Sequence, residues 1–295
     1  MATTVDPEKV EAAVVTWTAA QLPDPPGGEM LAVAIAGKTV RGARNAGERA
    51  PHLLAAATHH CPVVLTQRQI PSKTNEIPMV ATLVQDLRAA GHDPATMTFT
   101  LDALHTQHAT AALLHQGGAG YVMTVKPNQP GLLAAIQNRL STTPTARARA
   151  RARGHGRTEE RLLYAASADG ITFPGATQIF RIVRHTGGLD GQRSRKEIVH
   201  CITNLTPAQA SPAQLAALIR GHWSIENSIH WVRDVTYRED ASRVRTGNAP
   251  AVLAAIRNIV TTVFRMAGEI NIAAARRAAS LDPASIIERL TGRPN

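Results

Sequence analysis

Apolar positions along the chain alternate between helical and strand spacing. Residues 6–21 bring Val10, Val14, Val15, Ala19 and Leu22 to one side behind an Asp6-Pro7 start. Pro23, Pro25, Pro26, Gly27 and Gly28 then break the pattern, which predicts a short helix and a linker. Compact apolar runs at 31–35, 53–58 and 63–67 predict three strands of an antiparallel meander. Past Thr74 and Asn75, either of which can cap a helix, Ile77, Val80, Leu83, Val84 and Leu87 recur at helical spacing until Gly91. A strand at 97–101, a helix through Ala109, Ala112 and Leu113, a strand at 121–125 and a helix at 132–140 follow. Three strands and then alternating helices and strands predict an α/β (α+β) chain, a mixed sheet flanked by helices. In such sheets functional groups gather at the carboxyl ends of strands, and Ala36, Asp102 and Lys126 take those places.

The pattern changes after residue 140. Arg147, Arg149, Arg151 and Arg153 alternate with alanine, so an extended backbone would put all four on one side. A solvated linker and a phosphate-contacting arm both suit such a run. Residues 161–166, 178–185 and 198–202 read as strands between Gly-rich turns, a β-rich insertion. From Ser211 the spacing is helical again. A continuous helix through 220–233 would put Trp223, Glu226, Asn227, His230 and Asp234 near one face and bury Ile225, Ile229 and Val232. Trp223, beside that isoleucine stripe, is expected to pack in the core. Thr246-Gly247-Asn248 ends this stretch, and an apolar-faced helix covers 251–266. The chain thus divides into 1–30 (short helix and linker), 31–140 (first part of a core), 141–205 (basic linker and β-rich insertion) and 206–295 (helices completing the core).

Composition narrows the chemistry. A formal net charge of +10 over 295 residues favours a polyanionic partner, nucleic acid before an anionic membrane. The two cysteines, Cys61 and Cys201, are far apart and form no CxxC pair, which argues against a zinc knuckle or a disulfide framework. No apolar run reaches bilayer-spanning length and the first residues lack a signal pattern, so an intracellular protein is the expectation. Aromatic residues are 3% of the chain, too few for base stacking to be the main binding device. Gly37-Lys38-Thr39 looks like the end of a P-loop, but the first glycine of that motif would fall at Ala32. No Gly-x-Ser-x-Gly elbow occurs. His105 and His108 lie one helical turn apart without a third zinc ligand. Asp102 at a strand end and Glu226 on a later helix, in a basic protein, suggest metal-assisted phosphoryl chemistry with hard cations. Glu239 and Asp240 are rival acids beyond the expected helix end.

Five segments carry a resemblance: 73–77 (Lys-Thr-Asn-Glu-Ile), 100–107 (Thr-Leu-Asp-Ala-Leu-His-Thr-Gln), 121–129 (Tyr-Val-Met-Thr-Val-Lys-Pro-Asn-Gln), 156–161 (Gly-Arg-Thr-Glu-Glu-Arg) and 222–235, which holds His-Trp-Ser-Ile-Glu-Asn. In this order they resemble the DDE insertion-sequence transposases of the H-repeat-associated type, over most of 31–266. The resemblance implies an RNase H-like core with a β-rich insertion before the helix that bears the last acid. It implies Mg²⁺-dependent (or Mn²⁺-dependent) cutting of transposon ends and strand transfer, with double-stranded DNA as partner and a homodimer on that DNA. It also implies a cytoplasmic, nucleoid-associated location and no membrane. Matched by position, Asp102 is the second acid and Glu226 the third. The first acid position is occupied by Ala36; the nearest following acid is Glu48. Loss of one metal-bound carboxylate should cost orders of magnitude in rate. Lys38, Arg41, Lys126, Asn128, Arg220, His222 and Arg233 would face phosphates or orient the acids, with Asn227 and His230 in support. The chain is expected to lack most of the family's N-terminal region. A transposase impaired at Ala36, a non-catalytic DNA-binding remnant and a stand-alone nuclease are the readings to separate.

Overall fold

The computed structural model describes residues 5–22, 29–44, 49–143, 145–154, 156–189, 193–284 and 288. The predicted break at 23–28 and Glu48 lie outside these residues. In chain order the elements begin α1 (Pro7–Gln21), β1 (Leu31–Thr39), β2 (His52–Thr58), β3 (Val64–Gln69), α2 (Glu76–Ala89), β4 (Met97–Leu101), α3 (His108–Gln116), β5 (Gly120–Val125) and α4 (Pro130–Thr142). They continue with β6 (Ala146–Gly154), β7 (Arg157–Ser167), β8 (Gln178–Gly188), β9 (Arg193–Thr203), α5 (Pro212–His222), a π-wound helix over 226–236, α6 (Ala249–Met266) and α7 (Ile272–Leu281). The chain forms two compact units, Met1–Asp93 with Trp223–Asn295, and Pro94–His222.

The first unit holds the meander. β1 pairs with β2 and β2 with β3, both antiparallel, with a bulge between Ala56 and Ala57. Asp6 caps α1 through Glu8 N at 2.9 Å; Asn75, rather than Thr74, caps α2 through Ile77 N at 3.0 Å. The α2 stripe of Val80, Leu83, Val84 and Leu87 is buried as its spacing predicts. β1 does not stop where its apolar run stops. Gly37, Lys38 and Thr39 stay in register with Leu54, Leu53 and His52, so Ala36 lies inside the strand and not at its carboxyl end. Ladder hydrogen bonds come from the backbone, and β2 continues opposite these residues whatever their side chains. At Gly37 a Cβ would lie 2.4 Å from Glu76 Oε1 and 2.7 Å from His52 Nε2, so a larger residue would make those side chains shift. α6 is, by length and composition, long and apolar enough to cross a membrane, which the sequence expectation missed; 61% of it is buried within the protein, as in a core helix.

In the second unit the strand order is β4-β5-β9-β8-β7-β6. β4 and β5 are parallel, as a helical crossover (α3) demands, and the remaining pairs are antiparallel. The β-rich insertion extends this sheet, because its last strand, β9, pairs with β5 through Val122–Val125. The Ala-Arg run is not a loose linker but strand β6, paired with β7 from Ala146 to Gly154. The fold is mixed α/β. A three-strand meander followed by helix, strand, helix, strand and helix is the RNase H-like element order.

Candidate active site

Asp102 is set by the end of β4. The five strand residues are buried, and the chain leaves the sheet at 102, where the carboxylate is exposed. Its Oδ1 accepts from Leu104 N at 3.0 Å and His105 N at 3.4 Å, which fixes the turn around the side chain. Thr106 Oγ1 donates to Thr124 O at 2.6 Å, Asn128 Nδ2 to Ala103 O at 2.7 Å, and Gln129 Nε2 to Thr106 O at 3.0 Å. The loop after β5 therefore latches the loop that carries Asp102. Asn128, expected at phosphates, spends its amide on this latch. Lys126 is exposed at the end of β5. His222 Nδ1 lies 3.0 Å from Thr100 Oγ1 on β4, and Arg220 is exposed on the same helix end. Nearby Arg161 is lowered from its ordinary value by burial first, and then by the Arg184 and Arg220 charges against the opposing pull of Glu159. His105 is fully buried, and His108 packs edge-on against Phe173 at 4.9 Å, so the two histidines form no zinc pair.

Glu226 belongs to the first unit. Helix α5 ends at His222 and the chain rewinds with i→i+5 bonds, Trp231 N to Glu226 O and Tyr237 N to Val232 O. π-turns of this kind concentrate at functional sites. Ile225, Ile229 and Val232 are buried as expected, the first two against Ala34, Ala55, Ala57 and Val64. Ala36 packs on that same cluster, so position 36 abuts the residues that flank Glu226. Glu226 and Asn227 are exposed. His230 is buried and its Nδ1 lies 3.4 Å from Glu226 Oε2, one turn on, where it steadies the carboxylate; its Nε2 has no hydrogen-bond partner among the described residues.

Three expectations for this stretch are corrected. Trp223 is 61% exposed, because the helix breaks beside it and does not carry it into the core. Arg233 is 1% exposed. Its Nε donates to both oxygens of Glu239, at 3.1 and 3.0 Å, and its Nη1 to Gln67 Oε1 at 2.8 Å, leaving no face for a DNA phosphate. Lys38 is buried as well, its Nζ 2.6 Å from Asp234 Oδ1 and 4.0 Å from Glu239 Oε2. Glu239 itself is wholly buried and also accepts from Arg257 Nη1 at 3.1 Å, so this rival acid is the centre of a structural ion network. The left-handed backbone at Arg238 (φ 52°) turns Glu239 back under the helix. Gly42 admits that segment, since a Cβ would meet Ser242 O at 2.4 Å and Glu239 O at 2.6 Å. Arg41 is exposed, with its backbone N on Asp240 Oδ1 at 3.2 Å. Thr106, Gln129 and the Glu239 network escaped sequence reasoning; a buried partner leaves no local spacing to find.

Among the described residues, no three His, Cys, Asp or Glu side chains group to hold a metal ion. Asp102 in the second unit and Glu226 in the first each present an exposed carboxylate, the oxygen donor that a hard cation takes. The methyl of Ala36, beside the residues that flank Glu226, supplies no oxygen donor.

A family model, Transposase DDE domain, matches residues 26–263. The protein named "Putative transposase YncI" of Escherichia coli O157:H7 is 30% identical over 251 residues, 79% of this chain and 61% of that one. "H repeat-associated putative transposase YhhI" of Escherichia coli K12 is 27% identical over 245 residues, 79% of this chain and 63% of that one. The chain thus spans about three fifths of the length of these curated relatives. A solved piggyBac transposase synaptic complex with hairpin DNA aligns at a TM-score of 0.47 and 12% identity, over 90% of this chain and 54% of that one, and adds nothing to the assignment. Since the family match takes in the meander, the Asp102 turn and the Glu226 helix alike, the chain belongs to the DDE transposase family.

Proposed function

We propose that this chain is the core of an insertion-sequence transposase, acting on double-stranded DNA at transposon ends and target, and that its cutting is impaired at Ala36. The observation that carries the impairment is the place of Ala36 inside β1, its methyl against the cluster of Ile225 and Ile229 beside Glu226. Asp102 and Glu226 serve as the remaining acids. When bound, Mg²⁺ would neutralise phosphate charge and lower the pKa of an attacking water. The chain's own residues hold the carboxylates in place: the Asn128 and Gln129 latch for Asp102, His230 for Glu226. Lys126, Arg220, His222 and Arg41 would meet the sugar–phosphate backbone. A homodimer suits the need to cut two ends together. The same apolar setting of Ala36 favours the second reading, a DNA-binding remnant.

A nicking and strand-transfer assay on a transposon-end duplex with Mg²⁺ or Mn²⁺ tests this, comparing the chain with Ala36→Asp. A gain of about 10²-fold or more in the Asp form supports the impaired transposase. DNA binding with no cleavage in either form supports the remnant. Cleavage without end joining would point to a nuclease and sink both.

A further inference from the structure

Helix α1 docks through a face that includes a carboxyl. Its buried residues are Glu11, Val14, Val15 and Thr18, so two valines supply the apolar hold and Glu11 stands where a further apolar residue would be expected. Glu11 is 8% exposed, and α1 packs against β3, α6 and α2. The hydrogen bond it accepts comes from a neutral group, Gln67 Nε2 of β3, at 2.9 Å. Gln67 is held in this sense, because its Oε1 accepts from Arg233 Nη1 at 2.8 Å and from Asn258 Nδ2 of α6 at 3.1 Å. The charges near Glu11 are engaged elsewhere. Arg233 is held by both oxygens of Glu239. Arg68 of β3 makes two bonds of 2.7 Å to Asp86 of α2 and meets Glu8 of α1 at 3.3 Å. Asp86 opposes a second negative charge at this place. Lys9, the next basic group on α1, is exposed. A cleft of about 190 Å³ lined by Glu11, Thr66, Arg68 and Asp86 gives the carboxyl a route to exchange its proton with solvent.

We propose that α1 is a detachable helix, docked on β3 and α6 while the Glu11 carboxyl holds its proton and released when that proton is lost to solvent. A neutral carboxyl is satisfied by the Gln67 amide. A carboxylate in the same place loses its hydration, and the guanidiniums that could offset this already face other acids. On release the carboxylate regains water, and α1 leaves the amide that also holds Arg233 of the Glu226 helix. Burial pushes the docked carboxyl up to about 8, against the Gln67 hydrogen bond and the Arg233 and Arg68 charges, whereas a freed one titrates near 4.5. Docking is therefore strongest below about pH 4.5, weakens about tenfold with each pH unit up to about 8, and is level above that, about 3,000-fold in all.

Amide hydrogen exchange of the full chain, read by mass spectrometry on α1 and on β2, tests this from about pH 5 to about pH 9 after correction for the intrinsic exchange rate. Protection of α1 should be lower than that of β2 throughout, and should fall about tenfold per pH unit up to about pH 8. In Glu11→Gln, which carries no charge at any pH, the protection of α1 should stay level. Where that variant does not fold, Glu11→Leu is read in its place and should be level as well. Equal protection of α1 and β2 would mean that the helix leaves only when the whole unit unfolds, and overturns its separate release. A level trace in the unaltered chain, or the same fall in the neutral variant, overturns the part given to Glu11. None of these outcomes bears on the transposase reading, which does not depend on α1.

Discussion

Replacing Glu239 by Gln should be among the most damaging single changes in the first unit. The carboxylate is wholly buried and faces Arg233 Nε at 3.1 and 3.0 Å, Arg257 Nη1 at 3.1 Å and Lys38 Nζ at 4.0 Å. Removing its charge strands Arg233, 1% exposed, with Gln67 as its other hydrogen-bonded neighbour. Breaking one partner of a buried pair costs about 3–5 kcal/mol, because the other charge stays desolvated. Arg233→Met should cost less, toward about 3 kcal/mol, since Glu239 keeps Arg257 and Lys38. In the double variant no charge is left opposite a missing partner at this contact, so its cost should fall below the sum of the singles by about 1–3 kcal/mol. Urea unfolding followed by circular dichroism measures all three at a common m-value. A Glu239→Gln loss under about 1 kcal/mol, or strict additivity, would refute the view that this network ties the strands to the Glu226 helix.

Burial pushes the Glu11 carboxyl up to about 8, against the Gln67 hydrogen bond and the Arg233 charge. A raised folded-state pKa gives stability that is full below the unfolded pKa and is lost as pH rises through the folded one. Stability should therefore decline between about pH 4.5 and 8, by about 5 kcal/mol at most, and Glu11→Gln should flatten that decline in pH-dependent urea melts. In an Ala36→Asp background, Glu226→Gln should abolish metal-dependent cleavage with the melting curve unchanged; continued cutting would remove Glu226 from the reaction. Asn128→Ala breaks the 2.7 Å bond to Ala103 O, so it should cost about 1 kcal/mol in the melt. In the Ala36→Asp background it should also lower the cleavage rate more than DNA affinity. Hydrogen bonds from Arg151 and Arg149 hold the Glu160 carboxyl at about 2, so the pairing should persist down to about that pH, read by NMR titration of the side chain.

The regular parts of the fold could be read from the sequence because burial follows a period. The stripes of α2 and of Ile225, Ile229 and Val232 lie where the spacing puts them, and β4 has the bounds of its apolar run. Two features defeated the same logic. β1 outruns its apolar residues because its ladder to β2 is a backbone matter. The π-winding after Glu226 changes the number of residues per turn, and a phase computed at 3.6 no longer tells which charged residue turns inward. Arg233, expected on the DNA from the resemblance, is found in the core. Asp102 and Glu226 stand out in the sequence only through the motifs around them, and both side chains are exposed. The residues that hold them, Asn128, Gln129, Thr106 and His230, act through contacts that join distant strands or a single helical turn. Lys38 shows the limit most plainly: in sequence it is a lysine in a basic protein, and only its Asp234 contact reveals a buried pair.

Strand β6 ends the row β4-β5-β9-β8-β7-β6, and its backbone pairs with β7 alone in that order. An outermost strand of nine residues is a template on which a second molecule could add its own strand. Arg147, Arg149, Arg151 and Arg153 recur at every second position, and two of them share the single carboxylate of Glu160. Two copies laid rim to rim would bring these rows of like charge within a few ångströms of each other. The molecule thereby discourages fibrillar self-association at this border, and swapping those arginines for threonine should make concentrated solutions of the protein cloud.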